Sequence, residues 1–414
     1  MEHAPLPSGW QRDELGELVS FASGGTPSKE KSEYWNGDIP WVTAKDMKSF
    51  ELSSSELKIT AEGLRRGGRT VPANSLLVLV RGMTLLKDVP ICLTTREMAF
   101  NQDVRGLQVK GKIDSRFLAY ALVAQKEQLR GLVNIAGHGT GRLATEALSE
   151  HPIIFPAGRD EQHAIASVLS AWDRAIVQTA ALIAAKERLK QGLMQQLLSG
   201  RRRFKGSKAN WSTCHIGDLL TEVRRYVSVE DDTSYRLVSV RRNSGGMFDR
   251  EPRPGRDIGY SKLMTVETGD FLIARRQVIH GAMTIVRKRF HGAYVSDAYA
   301  TLVPKPGVAL HMPFLDILSR APRMYYSAFR CSYGVAIEKM VFHLEWFLRE
   351  TVCIPPTIEE QKRIADVLTE LDREVRQLER RRAALQKQKR GLMQQLLTGK
   401  VRVSESLLKK GAKS

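Results

Sequence analysis

EQHAIASVLSAWDRAIVQTAALIAAKERLKQGLMQQLLSG, Glu161–Gly200, returns without a gap as EQKRIADVLTELDREVRQLERRRAALQKQKRGLMQQLLTG, Glu360–Gly399. About half of the positions are identical, and the offset of 199 residues, Gln162 to Gln361, is far longer than a solenoid repeat of roughly 20–50 residues. The repeat therefore marks duplication of a whole domain-plus-helix unit. Both copies read as helix: Pro156 and Pro356 stand shortly before acidic first turns (Asp160 and Glu161; Glu359 and Glu360), and each copy closes on a glycine beside basic residues. About 40 residues at ~1.5 Å each make a rod of roughly 60 Å.

Apolar residues recur along both copies at alternating steps of four and three. They are Ile165, Leu169, Trp172, Ile176, Ile183, Leu193 and Leu197 in the first, and Ile364, Leu368, Leu371, Val375, Leu378, Leu385, Leu392 and Leu396 in the second. This is a heptad seam, interrupted by Lys186 and Lys190 in one copy and by Arg382 and Lys389 in the other, and it calls for a partner helix. Like helices related by a perpendicular two-fold axis run antiparallel, so the expectation is an antiparallel coiled coil with pseudo-two-fold symmetry. In that geometry the domain before each helix lies at opposite ends of a shared rod. The alternative is a pair of ordinary amphipathic helices in one large core, which a length near 40 residues disfavours.

The flanks repeat more faintly. Trp10 precedes Leu15-Gly16-Glu17-Leu18 as Trp211 precedes Ile216-Gly217-Asp218-Leu219; VTAKD at Val42–Asp46 aligns with VSVRR at Val238–Arg242, and SLLVLVR ending at Arg81 with DFLIARR ending at Arg276. Short aliphatic and β-branched runs between Gly, Pro, Asn and Asp clusters argue for strand-rich domains. The fold class is α+β: two β-rich α/β domains separated by two long helices. The expected boundaries are 1–155, a first domain; 156–204, a central helix; 205–353, a second domain; 354–404, a C-terminal helix; and 405–414, a frayed tail. RRRFKGSK, Arg201–Lys208, reads as a basic hinge.

At 414 residues, 42% hydrophobic and 26% charged, the chain has an ordinary globular composition that excludes disordered, collagen-like and disulfide-scaffold classes. No apolar run approaches the roughly 20 residues of a membrane span, LLVLV at Leu76–Val80 fitting one short strand, and MEHAPLPSGW has no secretory pattern. The expected compartment is the cytoplasm. Cys92, Cys214, Cys331 and Cys353 lie far apart with no CxxC or CxxH, so neither disulfides nor a metal site are indicated. A net charge of +19 favours a polyanionic partner, nucleic acid first, because each phosphate neutralised releases counterions.

With the order domain, helix, domain, helix and the endings GLMQQLLSG and GLMQQLLTG, the chain resembles the specificity subunit of type I restriction-modification systems. GGTPS at Gly24–Ser28, YW at Tyr34–Trp35, GDIPWV at Gly37–Val42, NQD at Asn101–Asp103 and IPP at Ile354–Pro356 add to the likeness. The second domain departs from it, carrying VRRYVSVEDDTS in place of GGTP and YW, so residue roles do not transfer from the first domain to the second. The resemblance implies two target-recognition domains, each reading half of a split site in double-stranded DNA, with the helical rod fixing the gap. It also implies partners: two methyltransferase subunits and, in a full enzyme, a restriction endonuclease subunit. S-adenosylmethionine and ATP chemistry belongs to those partners, and this chain is expected to bring no cofactor and no catalytic residue.

The residues themselves agree. The only GK pairs, Gly111-Lys112 and Gly399-Lys400, are followed by Ile and Val, so there is no phosphate loop, and the only PP, Pro355-Pro356, lacks the context of an amine methyltransferase. GHGTGR, Gly137–Arg142, reads as a helix-capping turn more readily than a nucleotide loop. KEKSEYW has the letters of a metal-dependent nuclease but lies among turn formers. The alternative from another class is a DNA methyltransferase or nuclease with an unrecognised active site; a third is a coiled-coil scaffold that ignores DNA.

Base readout uses Arg, Lys, Asn and Gln at groove edges, carried here by loops between strands. In the first domain the candidates are Thr26, Ser28, Lys29, Lys45, Arg65, Arg66, Arg69 and Arg81, with GLRRGGR prominent because Gly67 and Gly68 allow close approach. In the second they are Arg241, Arg242, Asn243, Arg253, Arg256, Arg275, Arg276 and Gln277. Lys45 with Arg241, and Arg81 with Arg276, occupy matched places.

Overall fold

The computed structural model describes residues 5–135, 139–207, 209–259, 262–334 and 340–404; the tail 405–414 lies outside them. The chain divides into two compact units, one of Met1–Thr179 with Arg381–Ser414, the other of Ala180–Arg380. Two helices of 39 residues, Arg159–Leu197 and Ile358–Leu396, run through this division. Each begins with acids that meet the positive end of its dipole and is followed by a left-handed glycine, Gly200 at φ +70° or Gly399 at φ +68°.

Within each unit a segment of one long helix packs antiparallel on a segment of the other. In the first unit Lys389 donates to Asp173 at 2.6 Å and Arg402 to Glu161 at 2.5 Å. In the second Lys190 donates to Asp372 at 2.7 Å, Lys186 to Glu374 at 2.8 Å and Arg203 to Glu360 at 2.7 Å. Asp173–Lys389 becomes Asp372–Lys190 on exchanging the repeat positions, and Glu161–Arg402 becomes Glu360–Arg203 in the same way. The lysines that interrupt the heptad seam are thus partners for acids on the facing helix. Arg203 ties RRRFKGSK to Glu360, so at that residue the expected basic hinge is anchored.

All fifteen seam positions are buried or half-buried: Ile165, Leu169, Ile183, Leu197, Ile364, Leu368, Leu371, Val375 and Leu396 are buried, and Trp172, Ile176, Leu193, Leu378, Leu385 and Leu392 half-buried. One expectation is corrected. By length and composition alone, Arg159–Leu197 is apolar enough to cross a membrane. Its first turns pack into the core of their unit through Ile165, Ala166 and Leu169, whereas Val177 and Leu182 further along are exposed. Asp173 takes hydrogen bonds from Tyr120 Oη at 2.7 Å and Lys389 Nζ, and burial pushes the Tyr120 phenol up so that it remains a donor.

Each helix is fastened to its own domain by a fully buried glutamine. Gln162 accepts from the Asp114 amide at 2.6 Å and donates to the carbonyls of Pro156 at 2.8 Å and Lys112 at 3.3 Å. Gln361 accepts from the His311 amide at 2.8 Å and donates to Ala309 and Pro355, both at 2.9 Å. The EQ pair that opens both repeats is therefore an ion-pair acid followed by a backbone clasp.

The domains share one sheet order. In the first, strands Val19–Ser23, Val104–Val109, Leu76–Leu79 and Ile91–Thr94 lie side by side, with Glu51–Leu52 added at the edge; in the second, Leu220–Val223, Tyr299–Pro304, Phe271–Ala274 and Met283–Ile285 do the same. Leu76–Leu79 and Phe271–Ala274 are buried along their whole length, which is why LLVL and FLIA read as uninterrupted apolar runs rather than alternating ones. The short helices Leu15–Leu18 and Ile216–Leu219 occupy the matched spacing after Trp10 and Trp211. The α+β architecture read from the repeat is the one observed.

Candidate nucleic-acid interface

The first domain's second sheet carries its motif loops. Trp35–Val42 pairs with Leu57–Ile59 on one side and Met98–Phe100 on the other, which sets the loop after Val42 beside the loop after Phe100. GGTPS is drawn to the same edge, since Gly25 N donates to Phe100 O at 2.9 Å. Two indoles hold it there: Trp41 Nε1 donates to Gly25 O at 2.9 Å and Trp35 Nε1 to Ser28 O at 3.0 Å, the rings meeting edge to face. A Cβ on Gly24 would lie 2.1 Å from Asn101 O, and one on Gly25 2.0 Å from Gly67 O, so only glycine fits, and GLRRGGR is packed against GGTPS.

These loops line one cleft of about 540 Å³, with Thr26, Lys29, Thr43, Lys45, Asn101 and Gln102 on its walls. Its polar groups are pre-arranged. Asp46 accepts from the Thr43 amide and hydroxyl at 2.8 and 2.9 Å, Thr26 Oγ1 donates to Gln102 Oε1 at 2.5 Å, and Asn101 Nδ2 donates to Asp103 at 3.1 Å. Lys29 and Lys45 are exposed with no ion partner among the described residues.

The other first-domain candidates fall into two sets. Arg65 and Arg66 stand on the helix Ala61–Gly67 and both pair with Glu62, whose carboxyl their hydrogen bonds hold below the usual range. Ser28, Arg69 and Arg81 are exposed, and Arg81 makes no ion pair among the described residues.

In the second unit a cleft of about 690 Å³ is lined by Arg241, Asn243, Arg287, Arg289, Arg376 and Arg380, together with Lys190, Arg320 and Asp372. Its floor is a tight loop: Asn243 and Ser244 take φ +54° and +53°, Asn243 N donates to His280 O at 2.6 Å, and Ser244 Oγ meets Tyr325 Oη at 2.6 Å. Arg241 lies over Phe248 at 4.5 Å, and Arg242 Nε donates to Gln277 Oε1 at 2.6 Å. Arg275 pairs with Glu222 and Arg256 with Asp232, while Arg253 and Arg276 are exposed. Sequence reading missed Arg287, Arg289, Arg376 and Arg380. VRKRF at Val286–Phe290 held the signal for the first two; the helix arginines had none.

GHGTGR corrects one reading. Gly137 and His138 lie outside the described residues, but Gly141–Leu143 is a strand, paired with Val133–Ile135 and with Arg81–Gly82, so Gly141 and Arg142 lie in a strand and not in a helix cap. Burial pushes the Cys92 thiol up to about 12 and the Cys331 thiol to about 11, which keeps both protonated and poorly nucleophilic. Among the described residues no three His, Cys, Asp or Glu side chains gather as a metal would need.

Residues 7–186 match the family described as Type I restriction modification DNA specificity domain. The chain is similar to type I specificity subunits. The EcoR124I/EcoR124II specificity subunit of Escherichia coli is 31% identical over 161 residues, covering 38% of this chain and 40% of that protein. The MjaIX specificity subunit of Methanocaldococcus jannaschii is 32% identical over 176 residues, 41% of this chain and 39% of that one. The chain thus spans about two-fifths of the length of the curated relatives it matches. The crystal structure of a type I restriction-modification system S subunit from M. genitalium superposes with a TM-score of 0.60, covering 95% of this chain and 98% of that one at 16% identity, a likeness of fold. The specificity-domain match covers GGTPS, VTAKD and NQD, the loops that line the first cleft.

Proposed function

We propose that this chain is the DNA-reading subunit of a type I restriction-modification complex, with each domain recognising one half of a bipartite duplex site and the long helices setting the spacer. It docks methyltransferase subunits, two by the duplication, and a nuclease subunit where the complex has one. It performs no chemistry itself and works in the cytoplasm. The observation that carries this reading is that the two domains share a frame and differ in their loops. Sheet order, glutamine clasp and helix ion pairs repeat, whereas the second domain carries VRRYVSVEDDTS where the first has GGTPS and YW. Equal frames with unequal loops suit two readers of unequal sequences. The charge of +19 and the arginine-lined cleft supply attraction to phosphate.

Selection of bound duplexes from a random library by the purified chain, alone and with its methyltransferase, tests the reading. The expected product is a split motif with a fixed gap. An unsplit motif, or none, overturns it, and methyl transfer from S-adenosylmethionine by the chain alone favours the enzymatic alternative.

A further inference from the structure

Beside the first-domain cleft lies a three-stranded sheet in the order Val133–Ile135, Gly141–Leu143, Arg81–Gly82. Its register sets Asn134 directly opposite Arg142, and Arg142 directly opposite Arg81. Residues directly opposite in antiparallel strands project from the same face, and all three are exposed, while Gly141 and Leu143 on either side of Arg142 are buried. None of the three side chains makes a hydrogen bond or ion pair among the described residues. Like charges directly opposite one another destabilise a sheet, so the Arg81–Arg142 pair is a local cost that folding does not explain and an anionic or acceptor-rich ligand relieves.

The second domain has the same ladder with different chemistry. Tyr333 stands directly opposite Val341, each 199 residues after its counterpart Asn134 or Arg142, the offset that also relates Gln162 to Gln361. Tyr333 is 74% exposed and Val341 61%, while the next residue on each strand-pair frame, Leu143 or Phe342, is buried in both domains. A large apolar pair held out in solvent is as unexplained by folding as the paired arginines.

We infer that Asn134, Arg142 and Arg81 form a β-ribbon that reads base edges of one half-site in the major groove, and that Tyr333 and Val341 read the other half-site by apolar contact with thymine methyl groups. The inference rests on the DNA-reading function proposed above. Strands ~4.8 Å apart spread the three first-domain side chains over about 10 Å, which along the groove matches about three base pairs at ~3.4 Å each. The residue types suit base reading, since arginine is bidentate to guanine, asparagine is bidentate to adenine, and apolar side chains meet the thymine methyl. Strand ribbons are an established way into the groove.

The test uses the full chain in random-library selection, comparing wild type with Asn134→Thr/Arg142→Thr, Arg142→Lys and Tyr333→Ser/Val341→Ser, all at exposed positions. In the first double variant, discrimination at two or three adjacent base pairs of one half-site falls on the order of ten- to a hundredfold, with the other half unchanged. Arg142→Lys, which keeps the charge and loses the planar fork, relaxes the same positions in part. Tyr333→Ser/Val341→Ser relaxes A·T preference in the opposite half only. If wild type selects a split motif and the variants select the same motif, the inference is overturned while the proposed function stands: uniformly weaker binding makes the ladder a phosphate contact, and unchanged binding leaves it without a role in the site. If wild type selects no split motif, the function itself falls, and the inference with it.

Discussion

Replacing Gln162 or Gln361 with Ala tests whether one buried side chain fastens each long helix to its domain. Either change orphans three backbone groups: the Asp114 amide and the Pro156 and Lys112 carbonyls, or the His311 amide and the Ala309 and Pro355 carbonyls. A buried group left unpaired costs about 1–3 kcal/mol, though the 3.3 Å bond to Lys112 contributes little and carbonyls tolerate the loss better than amides. Adding ~0.8 kcal/mol for each lost methylene gives an expected loss of about 3–5 kcal/mol for either variant. Gln162→Met and Gln361→Met keep most of the volume and isolate the hydrogen-bonding part, roughly 2–3 kcal/mol. Urea denaturation followed by circular dichroism measures the loss, and hydrogen exchange at the Asp114 and His311 amides locates it. Losses below about 1 kcal/mol, or methionine variants as stable as wild type with those amides still protected, refute the clasp.

Other outcomes follow from the same geometry. Asp372 is buried, which opposes its charge, yet the hydrogen bond from Lys190 and the charge of Arg320 hold its carboxyl below the ordinary value. A lowered carboxyl pKa stabilises the fold above the unfolded value near 3.9 and ceases to do so as pH falls through the folded value. Asp372→Asn is therefore expected to destabilise by about 2–3 kcal/mol at neutral pH, with the gap to wild type closing below about pH 4 in denaturation curves. Gly25→Ala, whose methyl would meet Gly67 O at 2.0 Å, is expected to displace the GGTPS loop at a cost of about 1–3 kcal/mol. In library selection it should erase one half-motif and spare the other. Arg276→Ala should weaken one half-site; an equal loss on unrelated duplexes would make it a phosphate contact, visible as a salt slope lower by about one.

The helices and their mutual orientation were legible because a 199-residue repeat and a heptad pattern are properties of the chain alone. The seam lysines were legible only as interruptions, since nothing near Lys190 or Lys389 in sequence announces Asp372 or Asp173. The first cleft was half legible: GGTPS, VTAKD and NQD stood out, but their meeting depends on the parallel pairing of Trp41 with Ala99 and Val42 with Phe100, which no local pattern encodes. The ion partners of the arginine clusters were hidden for the same reason, because Glu222, 53 residues from Arg275, is invisible to a local reading. Asn134, Arg142, Tyr333 and Val341 escaped notice because cross-strand register, not composition, puts them in a row.

The division of the chain has a consequence for how it is made. The second unit is one continuous stretch, Ala180–Arg380, whereas the first joins Met1–Thr179 to Arg381–Ser414, and its core includes Met393, Leu396 and Leu397 alongside Leu18 and Phe117. Synthesis runs from the amino end, so the domain that emerges first is completed last. Until those final apolar residues arrive, its unfinished face is open to water for the whole time the second unit is being built, and its last contacts close a loop of some two hundred residues. A ribosome that stops at about residue 380 would therefore release a second unit with its core complete and a first unit without the side chains that seal it.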